Sequence, residues 1–365
     1  MGSKTLDIII PTKNNSKILI KNLNYLLNIS DRIRVVVLDS SDQPSILSKN
    51  FKNLKSDLEV FRTPKNFSSV QNFDAGVEHI RSDFFIFLGD DDFVSANIMD
   101  IIDDLDSRGL KACISTFPMN ILWRGFKAKT LNIKNEIALV ERKYSQDEVV
   151  LFSDAEIETC IRKQSRGPLN LPRAYLGITS SEVLVSLRKK QQNLFGSISP
   201  DIFSSIKIAE NIESYIKIDY PFIIPGASPN TASAEEAKGS EQNHMKRAKN
   251  YNWNSLIPEI HNEACIWSQA LSDALLESDR SISNYSNLYS RMFHIFHQHP
   301  HKISKAFLQN RDKITLFLYS FMNAIKLLTT KIFERFVNND VSRITDLKHL
   351  EGVNGILEKY RTKSN

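Results

Sequence analysis

Three consecutive aspartates follow an apolar stretch of the sequence. Residues 84–88 are apolar, and Asp90, Asp91 and Asp92 come after a single glycine. The apolar stretch predicts a strand covered on both faces, whereas three adjacent carboxylates repel each other unless a cation or solvent relieves them. A divalent cation that also binds a diphosphate is the expected partner. The alternative is a solvated acidic turn.

The elements that must position these carboxylates alternate between strands and helices. Strands are predicted at 7–12, 35–39, 58–62, 84–88, 112–117, 215–218 and 222–224, and helices at 18–27, 68–80, 97–105, 145–165 and 199–209. This order predicts an α/β fold with a mainly parallel sheet, flanking helices and polar loops at one edge. Thr12, Asp39 and the three aspartates then meet at that edge.

The composition is that of a folded protein with 365 residues, of which 41% are hydrophobic and 24% are charged. That length allows one large domain with an extension, or two domains. The three cysteines are far apart and odd in number, which argues against a disulfide framework and a cysteine zinc site and favours a reducing compartment. Because no secretory signal is visible, we expect a cytoplasmic location, with the inner face of the membrane as a further possibility.

Several motifs together resemble the family 2 glycosyltransferases of the GT-A (Rossmann-like) fold over about residues 5–230. They are Pro11-Thr12 after the first strand, Asp39-Ser40-Ser41 after the second, Asn72 in a helix, and Leu88-Gly89-Asp90-Asp91-Asp92. The resemblance implies a nucleotide-diphosphate-sugar site formed by Pro11, Thr12, Lys13, Asp39, Asn72, Asp90 and Asp91. Asp39 would contact the base, and Asp92 and Asp90 would bind Mn²⁺ or Mg²⁺, which hard oxygen ligands favour over zinc.

The chain departs from the common family pattern at two places. Lys13-Asn14-Asn15 stands where Tyr-Asn-Arg is usual, and the second strand ends Asp39-Ser40-Ser41 rather than Asp-Asp-Gly-Ser. Because of both departures, the sequence does not indicate which nucleotide base the donor carries. The sequence also has no Gln-x-x-Arg-Trp element, so a processive polymerase is disfavoured.

Inversion at the sugar, which the resemblance implies, needs a carboxylate base opposite the leaving group. By the resemblance, Asp201 is the candidate, because it follows Ser199-Pro200 at a predicted helix start, where many relatives carry an acidic residue. Helix capping is an equal alternative for Asp201, and Glu210 and Glu213 are weaker candidates for the base. Two residues of the preceding segment could contact acceptor or phosphate, although a surface arginine and a core tyrosine are the more common roles: Arg173 and Tyr175.

The predicted function is a metal-dependent inverting glycosyltransferase of bacterial surface polysaccharide synthesis, with a glycan or lipid-linked glycan as acceptor. One alternative is a nucleotidyltransferase, which is less favoured because Lys13 is the only basic residue in the first loop. The other is a catalytically degenerate protein that binds glycan or nucleic acid. Nucleic acid is not expected as a partner, since aromatic and Arg residues are not interleaved; an oligomer is possible.

Three segments are predicted: a nucleotide-sugar-binding catalytic domain at 1–228, a mobile loop or linker at 229–250, and a basic helical region at 251–365. Part of the loop, from Gly226 to His244, could close over the donor. Residues 301–365 hold 12 Lys and Arg against 6 Asp and Glu, which suggests an anionic surface as partner. A zinc site is disfavoured for His294, His297, His299 and His301, because Pro300 interrupts any helical face.

Apolar residues three and four apart predict an amphipathic helix near the carboxyl terminus, with basic residues offset from them. The apolar positions are Phe317, Phe321, Ile325, Leu328, Ile332 and Phe336, and the basic ones are Lys326, Lys331 and Arg335. Its longest charge-free run is shorter than a membrane span. The helix either docks on a membrane surface or packs on protein, and packing is slightly favoured.

Overall fold

The computed structural model describes residues 3–44, 51, 54–126, 133, 135–229, 251–310, 313, 316–322, 324–325 and 341–361. The strands are β1 (Leu6–Thr12), β2 (Ile33–Asp39), β3 (Asp57–Arg62), β4 (Phe84–Phe87), β5 (Phe93–Val94), β6 (Ala112–Ser115), β7 (Met119–Trp123), β8 (Ile137–Arg142), β9 (Glu148–Phe152), β10 (Gly177–Ser180), β11 (Ser214–Ile218), β12 (Ile223–Ile224), β13 (Gly226–Ala227) and β14 (Val341–Leu347). The helices are α1 (Ser16–Leu26), α2 (Ser69–Val77), α3 (Ile98–Ser107), α4 (Ser153–Arg162), α5 (Glu182–Lys189), α6 (Pro200–Ala209), α7 (Glu263–Ala274), α8 (Ser286–Met292), α9 (Pro300–Gln309) and α10 (Glu351–Arg361).

The central sheet has the strand order β3-β2-β1-β4-β10-β6-β11-β9. Strands β3, β2, β1 and β4 pair in parallel, and β6 and β11 are also parallel to each other. Strand β10 runs antiparallel between β4 and β6, and β9 runs antiparallel at the edge. This mainly parallel sheet with flanking helices confirms the predicted α/β class.

Alternate residues of the parallel strands enter two different hydrophobic cores. On β1, Ile8 and Ile10 lie in one core and Ile9 in the other, and on β4 Ile86 and Phe87 divide in the same way. Side chains of successive strand residues point to opposite faces, so both faces of the sheet are covered. Continuous apolar runs at β1, β2 and β4 follow from this burial, as the sequence predicts.

Two parts of the chain differ from the predicted elements. The segment 145–165, predicted to be helical, contains the strand β9 followed by α4, because residues 148–152 pair with β11 at the sheet edge. The carboxyl-terminal region is not helical throughout, since β14 pairs antiparallel with β8. Together with β13 and β7, these strands form a second sheet.

The carboxyl-terminal region packs on the α/β unit at two places. Val353 and Leu357 of α10 lie in the main hydrophobic core. Helix α7 packs against α6 through a cluster that joins Ile206 to Leu271, and its Cys265 lies in a further cluster with residues of α8 and α9. Among the described residues, no helix is both long and apolar enough to cross a membrane.

Candidate active site

Sheet register brings one row of polar side chains to the carboxyl edge of the parallel strands. Thr12, the last residue of β1, pairs with Asp39 of β2, which pairs in turn with Arg62 of β3. On the other side of β1, Ile9 pairs with Phe87, so Asp90 comes level with Thr12 three residues further on. This edge is where open α/β sheets bind ligands.

Asp90 is held by the end of β1 and the loop after it. The Thr12 hydroxyl donates a 2.6 Å hydrogen bond to Asp90 Oδ2, and Asn15 Nδ2 donates one of 2.6 Å to Asp90 Oδ1. Burial and the neighbouring charge of Asp91 raise the pKa of Asp90 to about 7, although these two hydrogen bonds oppose the shift. Both carboxylate oxygens of Asp90 therefore already have protein partners.

Asp92 is bound even more completely. Its Oδ2 accepts hydrogen bonds from the Gly89 amide at 2.6 Å and the Tyr175 hydroxyl at 3.1 Å, and its Oδ1 accepts one from the Gly226 amide at 2.8 Å. Burial, followed by the charge of Asp91, raises the pKa of Asp92 to about 7. The carboxylate of Asp92 thus ties the acidic turn, residues 89–92, to β13 and to the segment before β10.

Asp91 differs from its two neighbours, because one of its carboxylate oxygens has no protein partner. Ser228 donates hydrogen bonds to the Asp91 carboxylate from its hydroxyl and its backbone amide. Asp91 Oδ2 is buried and has no hydrogen-bond partner in the described part of the chain. Burial raises the pKa of Asp91, and the bonds from Ser228 oppose that shift. A buried polar atom without a partner calls for an explanation, and an ion is one of the usual ones.

The geometry at the acidic turn fits a cation held jointly with a substrate. No three His, Cys, Asp or Glu side chains among the described residues are grouped so as to hold a metal ion alone. Mg²⁺, however, is commonly bound through one or two carboxylates, with substrate phosphates and water as the remaining ligands. Asp91 Oδ2 could supply such a contact. Asp92 and Asp90 stay predicted ligands, but their oxygens are engaged in hydrogen bonds, and the geometry favours Asp91.

Asp39 lies buried at the end of β2 in a strongly polar environment. Arg62 Nη1 lies 2.7 Å from Asp39 Oδ2, and the Ser41 amide donates a 2.9 Å hydrogen bond to Asp39 Oδ1. Burial raises the pKa of Asp39, but Ser41 and Arg62 outweigh it, so the net pKa is lowered. Asp39 is therefore a stable anion at this edge, as a carboxylate that accepts hydrogen bonds from a base must be.

Asn72, which the resemblance assigns to the nucleotide site, holds the strand ends together. From α2 it donates to the Leu38 carbonyl at 3.2 Å and accepts a 2.7 Å hydrogen bond from the Thr63 hydroxyl. Lys13 extends from the first loop and donates to the Lys65 carbonyl at 2.7 Å. Pro11 is half-buried beside Thr12. The structure thus brings all predicted donor-site residues to one edge, with Asn72 bonded to the chain itself.

Of the predicted base and its neighbours, Tyr175 contacts the acidic turn, and Asp201 is near enough to Tyr175 for its charge to act on the phenol. Asp201 is half-buried in the first turn of α6 and accepts a hydrogen bond from the Ser199 hydroxyl. Burial raises the pKa of Tyr175 well above its ordinary value, and the charges of Asp92, Asp91 and Asp201 add to the shift. The Tyr175 hydroxyl also donates a hydrogen bond to Asp92. Tyr175 therefore interacts with the acidic turn and with the charge of Asp201.

Arg173 supplies a positive charge on this side of the site. Its guanidinium stacks 5.2 Å from the Phe117 ring centroid, and Nη2 donates to the Leu169 carbonyl at 2.6 Å. Its Nε has no hydrogen-bond partner among the described residues. Burial lowers the pKa of Arg173, and the charge of Asp201 opposes this. Arg173 can therefore still donate to an anionic or hydroxyl-bearing ligand.

The two weaker candidates for the base lie away from this group. Glu210 follows the last residue of α6, which places its backbone roughly 13 Å along the helix axis from Asp201. Glu213 comes directly before β11, and its carbonyl accepts a hydrogen bond from the Ser153 amide. The structure does not bring either glutamate to the acidic turn. Of the predicted lid, Gly226 and Ser228 are described, whereas Asn230, Thr231 and His244 lie outside the described residues.

Several residues that shape the acidic turn have no obvious sequence signal. Trp123 Nε1 donates a 2.8 Å hydrogen bond to the Asp91 carbonyl, and Asn22 Nδ2 donates to the Asp92 carbonyl. A Cβ on Gly226 would lie 1.9 Å from the Asp91 carbonyl oxygen, so only glycine fits there. Asn15 lies three residues after Thr12 in the first loop, and its polarity there is the one available signal.

Comparison with known proteins adds independent evidence. Residues 7–141 match the family model described as glycosyl transferase family 2. The match includes Thr12, Asp39, Asn72 and the acidic turn, and ends before Tyr175 and Asp201. The match covers less than half of the chain and supports glycosyltransferase activity for this segment. No curated protein sequence matches the chain.

Solved structures of S. aureus TarS are similar to this chain at low identity. The crystal structure of its residues 1–349 in complex with UDP-GlcNAc is 14% identical, with a TM-score of 0.45; the alignment covers 88% of this chain and 79% of that one. A second crystal structure of the same TarS residues is 13% identical, with a TM-score of 0.43 and coverage of 98% and 87%.

Proposed function

We propose that this protein is an inverting glycosyltransferase that moves a sugar from a nucleotide-diphosphate-sugar donor to a glycan or lipid-linked glycan acceptor. The observation that carries the proposal is the buried, unpartnered Asp91 Oδ2 at the carboxyl edge of the sheet. It lies in the segment that matches glycosyl transferase family 2, with Asp39 at the same edge. A nucleotidyltransferase would share the sheet but gains no support from a specific observation.

On the donor side, the chain provides an anion for the base and a carboxylate for a cation. Asp39, fixed by Arg62 and Ser41, would accept a hydrogen bond from the nucleotide base. Asp91 would hold Mn²⁺ or Mg²⁺, with Asp90 and Asp92 orienting the turn. A cation held there would supply positive charge to the leaving diphosphate. Because the turn is buried, each electrostatic contact there is stronger than it would be in water.

On the acceptor side, Asp201 would take the proton from the attacking hydroxyl. Its first-turn position on α6 and the effect of its charge on Arg173 and Tyr175 support this role. Arg173, with its Nε unpartnered, would orient the acceptor or a phosphate. Direct displacement with a single base inverts the configuration of the sugar carbon. A transfer assay can test three claims separately: that Asp201 is the base, that the sugar carbon is inverted, and that the reaction needs a metal ion.

The setting proposed for this activity is the synthesis of a bacterial surface polysaccharide at the inner face of the membrane. All three cysteines are buried, and none forms a disulfide, which suits a reducing compartment. An acceptor that is a glycan or a lipid-linked glycan would need an open, polar acceptor side. The half-buried Asp201 and Arg173 are compatible with such a site.

Thermal unfolding with nucleotides tests the donor proposal. Mn²⁺ plus one of UDP, GDP, dTDP or CDP should raise the Tm, because a ligand that binds only the native state stabilises it. Asp91→Asn should abolish the metal-dependent part of the shift. Asp103→Asn, which loses only an exposed ion pair with Arg32, is the matched control and should keep it. If no nucleotide raises the Tm of the wild type, the proposal fails.

A transfer assay tests the acceptor proposal. With the donor identified above, Asp201→Asn should still show the nucleotide-dependent Tm shift but should transfer sugar at least about 100-fold more slowly. Glu210→Gln is the control and should transfer at the wild-type rate. The anomeric configuration of the product, read by NMR, must be opposite to that of the donor. Retained configuration would exclude direct displacement.

A further inference from the structure

The helices near the carboxyl terminus expose a group of large apolar side chains. We call this group the C-terminal apolar surface; it consists of Phe293, Phe296, Leu308, Phe317, Leu318, Tyr319, Phe321, Met322 and Ile325. Their exposed fractions range from 39% at Phe293 to 64% at Met322. Single exposed apolar residues are ordinary, whereas a contiguous group marks an interaction site.

The helical segment 316–322 and its continuation at 324–325 carry most of this surface. Leu316 and Ser320, one turn apart, are buried, whereas the apolar residues on the remaining sides are exposed. A helix that is apolar all round is expected to be covered by protein or lipid. Only a narrow stripe of this one is covered by the described residues.

The aromatic side chains of the surface form one connected group. Phe317 and Phe321 stack at 6.3 Å between ring centroids, and Phe293 meets both of them edge-on at 6.3 Å. Next to them lies a cavity of about 590 Å³ between α8, α9 and this segment, in which Ser304 and Ser320 are the only lining residues with polar side chains besides Tyr289. The aromatic part of the surface is therefore one connected apolar area with a cavity beside it.

The charge around this surface is positive. Lys302, Lys305 and Lys313 are described and exposed. From residue 293 to 325, the sequence adds Arg311 and a single acidic residue, Asp312. Basic residues next to a membrane-facing apolar surface are attracted to anionic lipid headgroups, each contributing a several-fold gain in binding. Aromatic and apolar side chains enter the headgroup and acyl boundary.

We propose that the C-terminal apolar surface docks this protein on an anionic lipid bilayer. A second copy of the chain is a less suitable partner, because a two-fold interface would bring Lys302, Lys305 and Lys313 of both copies together. The docking is peripheral, since no helix among the described residues can cross the membrane. The proposal does not depend on the transferase reaction, because no residue of the candidate site belongs to this surface.

Packing connects the docking surface to the acceptor side of the candidate site. Helix α7 shares one hydrophobic cluster with α6, which carries Asp201, and another with α8 and α9. Because these clusters consist of buried side chains, the helices of each cluster pack directly against one another. A bilayer bound at the apolar surface would therefore hold Asp201 in a defined place relative to the lipid.

Vesicle sedimentation with the full chain tests the proposal. Binding to phosphatidylcholine vesicles that contain about 30% phosphatidylglycerol should be at least about 10-fold tighter than to pure phosphatidylcholine, and 0.5 M NaCl should weaken it. The double variant Phe317→Ser/Phe321→Ser should lower binding by about 10-fold or more. Val185→Ser, which removes a 51% exposed valine on α5, is the control and should bind as the wild type does.

A second variant keeps the test decisive if the serine variant does not fold. Lys302→Gln/Lys305→Gln removes charge from exposed positions only and should weaken binding to anionic vesicles but not to neutral ones. Equal binding of wild type and both variants would overturn the proposal. So would a wild-type oligomer in sedimentation velocity that the serine variant converts to monomer, because the surface would then be covered by a second copy.

Discussion

The acidic turn and the C-terminal apolar surface both leave groups without partners in the described chain, but in opposite ways. At the acidic turn, one carboxylate oxygen of Asp91 has no partner, whereas both carboxylate oxygens of Asp90 and of Asp92 accept hydrogen bonds. At the apolar surface, nine large side chains are exposed and few polar groups lie between them. A single buried oxygen in a rigid frame suits a small, charged ligand. A wide apolar area with a basic border suits a lipid surface.

The two regions should tolerate substitution differently. The frame of the acidic turn depends on contacts from distant parts of the chain, including Asn22, Trp123 and Gly226, so most substitutions there should destabilise the protein. The exposed side chains of the apolar surface have few such contacts. Substitutions there should change binding and leave the free energy of unfolding nearly unchanged.

The largest effect is expected at Gly226. A methyl group there would meet the Asp91 carbonyl oxygen at 1.9 Å, so Gly226→Ala must move β13 or the acidic turn. We expect a loss of about 3 kcal/mol or more in the free energy of unfolding, measured in urea. Gly355→Ala in α10 is the matched control. No other part of the described chain lies within 4 Å of its Cβ position, and we expect a gain of about 0.5–1 kcal/mol. If Gly226→Ala leaves the free energy of unfolding unchanged, the acidic turn is not rigid.

A smaller effect should separate Asp92 from Asp91. Asp92→Asn places an amide NH₂ where the carboxylate accepts hydrogen bonds from Gly89, Tyr175 and Gly226, and should cost about 1–3 kcal/mol. Asp91→Asn removes one of three repelling charges, and measured without metal it should be as stable as the wild type or more so. Urea unfolding of both variants in EDTA makes the comparison. If Asp91→Asn is the less stable of the two variants, Asp91 is the residue that holds the turn in place and Asp92 is not.

The donor edge could be predicted from the sequence because its signals are local. Buried parallel strands are apolar runs, and Pro11, Asp39 and Gly89 mark where β1, β2 and β4 end. The distinction between Asp91 and Asp92 could not be predicted in this way. It depends on Gly226 and Tyr175, which come from strands and loops more than 80 residues further along the chain. The resemblance assigns Asp92 and Asp90 to the metal, whereas the hydrogen bonds of Asp92 favour a positioning role.

The carboxyl-terminal half was harder to predict for a different reason. Val341, Ile344 and Leu347 are three residues apart, as on a helix, yet they belong to β14, where a register shift between Val341 and Arg343 breaks the alternation. At β9 the pattern failed because Val149 and Val150 are both exposed on an edge strand. Periodicity indicates a strand only where one face is buried without interruption.

Removing the partner of Asp39 should have a moderate, pH-dependent effect. Arg62→Met leaves a fully buried carboxylate with Ser41 alone, and should cost about 1–2 kcal/mol at pH 7. Because the folded pKa of Asp39 is lowered, its contribution is complete above the unfolded pKa of about 3.9 and is lost as the pH falls through the folded pKa. The difference in the free energy of unfolding between Arg62→Met and the wild type should therefore become smaller below about pH 4.

Arg108→Met is the control for that measurement. Arg108 pairs with Glu148 and Asp104 at the surface, where an ion pair contributes about 0–1 kcal/mol. Urea unfolding at pH 7 and pH 3 should give a larger loss in the free energy of unfolding for Arg62→Met than for Arg108→Met at pH 7, and a smaller loss for Arg62→Met at pH 3 than at pH 7. Equal losses at pH 7 would show that Asp39 does not need Arg62 as its counter-ion.

The smallest effects are expected at the border of the apolar surface, where they sharpen the contrast with the acidic turn. Lys302→Gln removes an exposed charge, and its free energy of unfolding should change by no more than about 0.5 kcal/mol. Its affinity for anionic vesicles should nevertheless fall about five-fold, because each juxtamembrane lysine contributes about 1 kcal/mol. Raising the salt from 0.05 to 0.5 M should reduce this difference, since exposed charges are screened. If Lys302→Gln lowers the free energy of unfolding by as much as it lowers the free energy of binding, Lys302 stabilises the fold. The apolar surface would then not be more tolerant of substitution than the acidic turn.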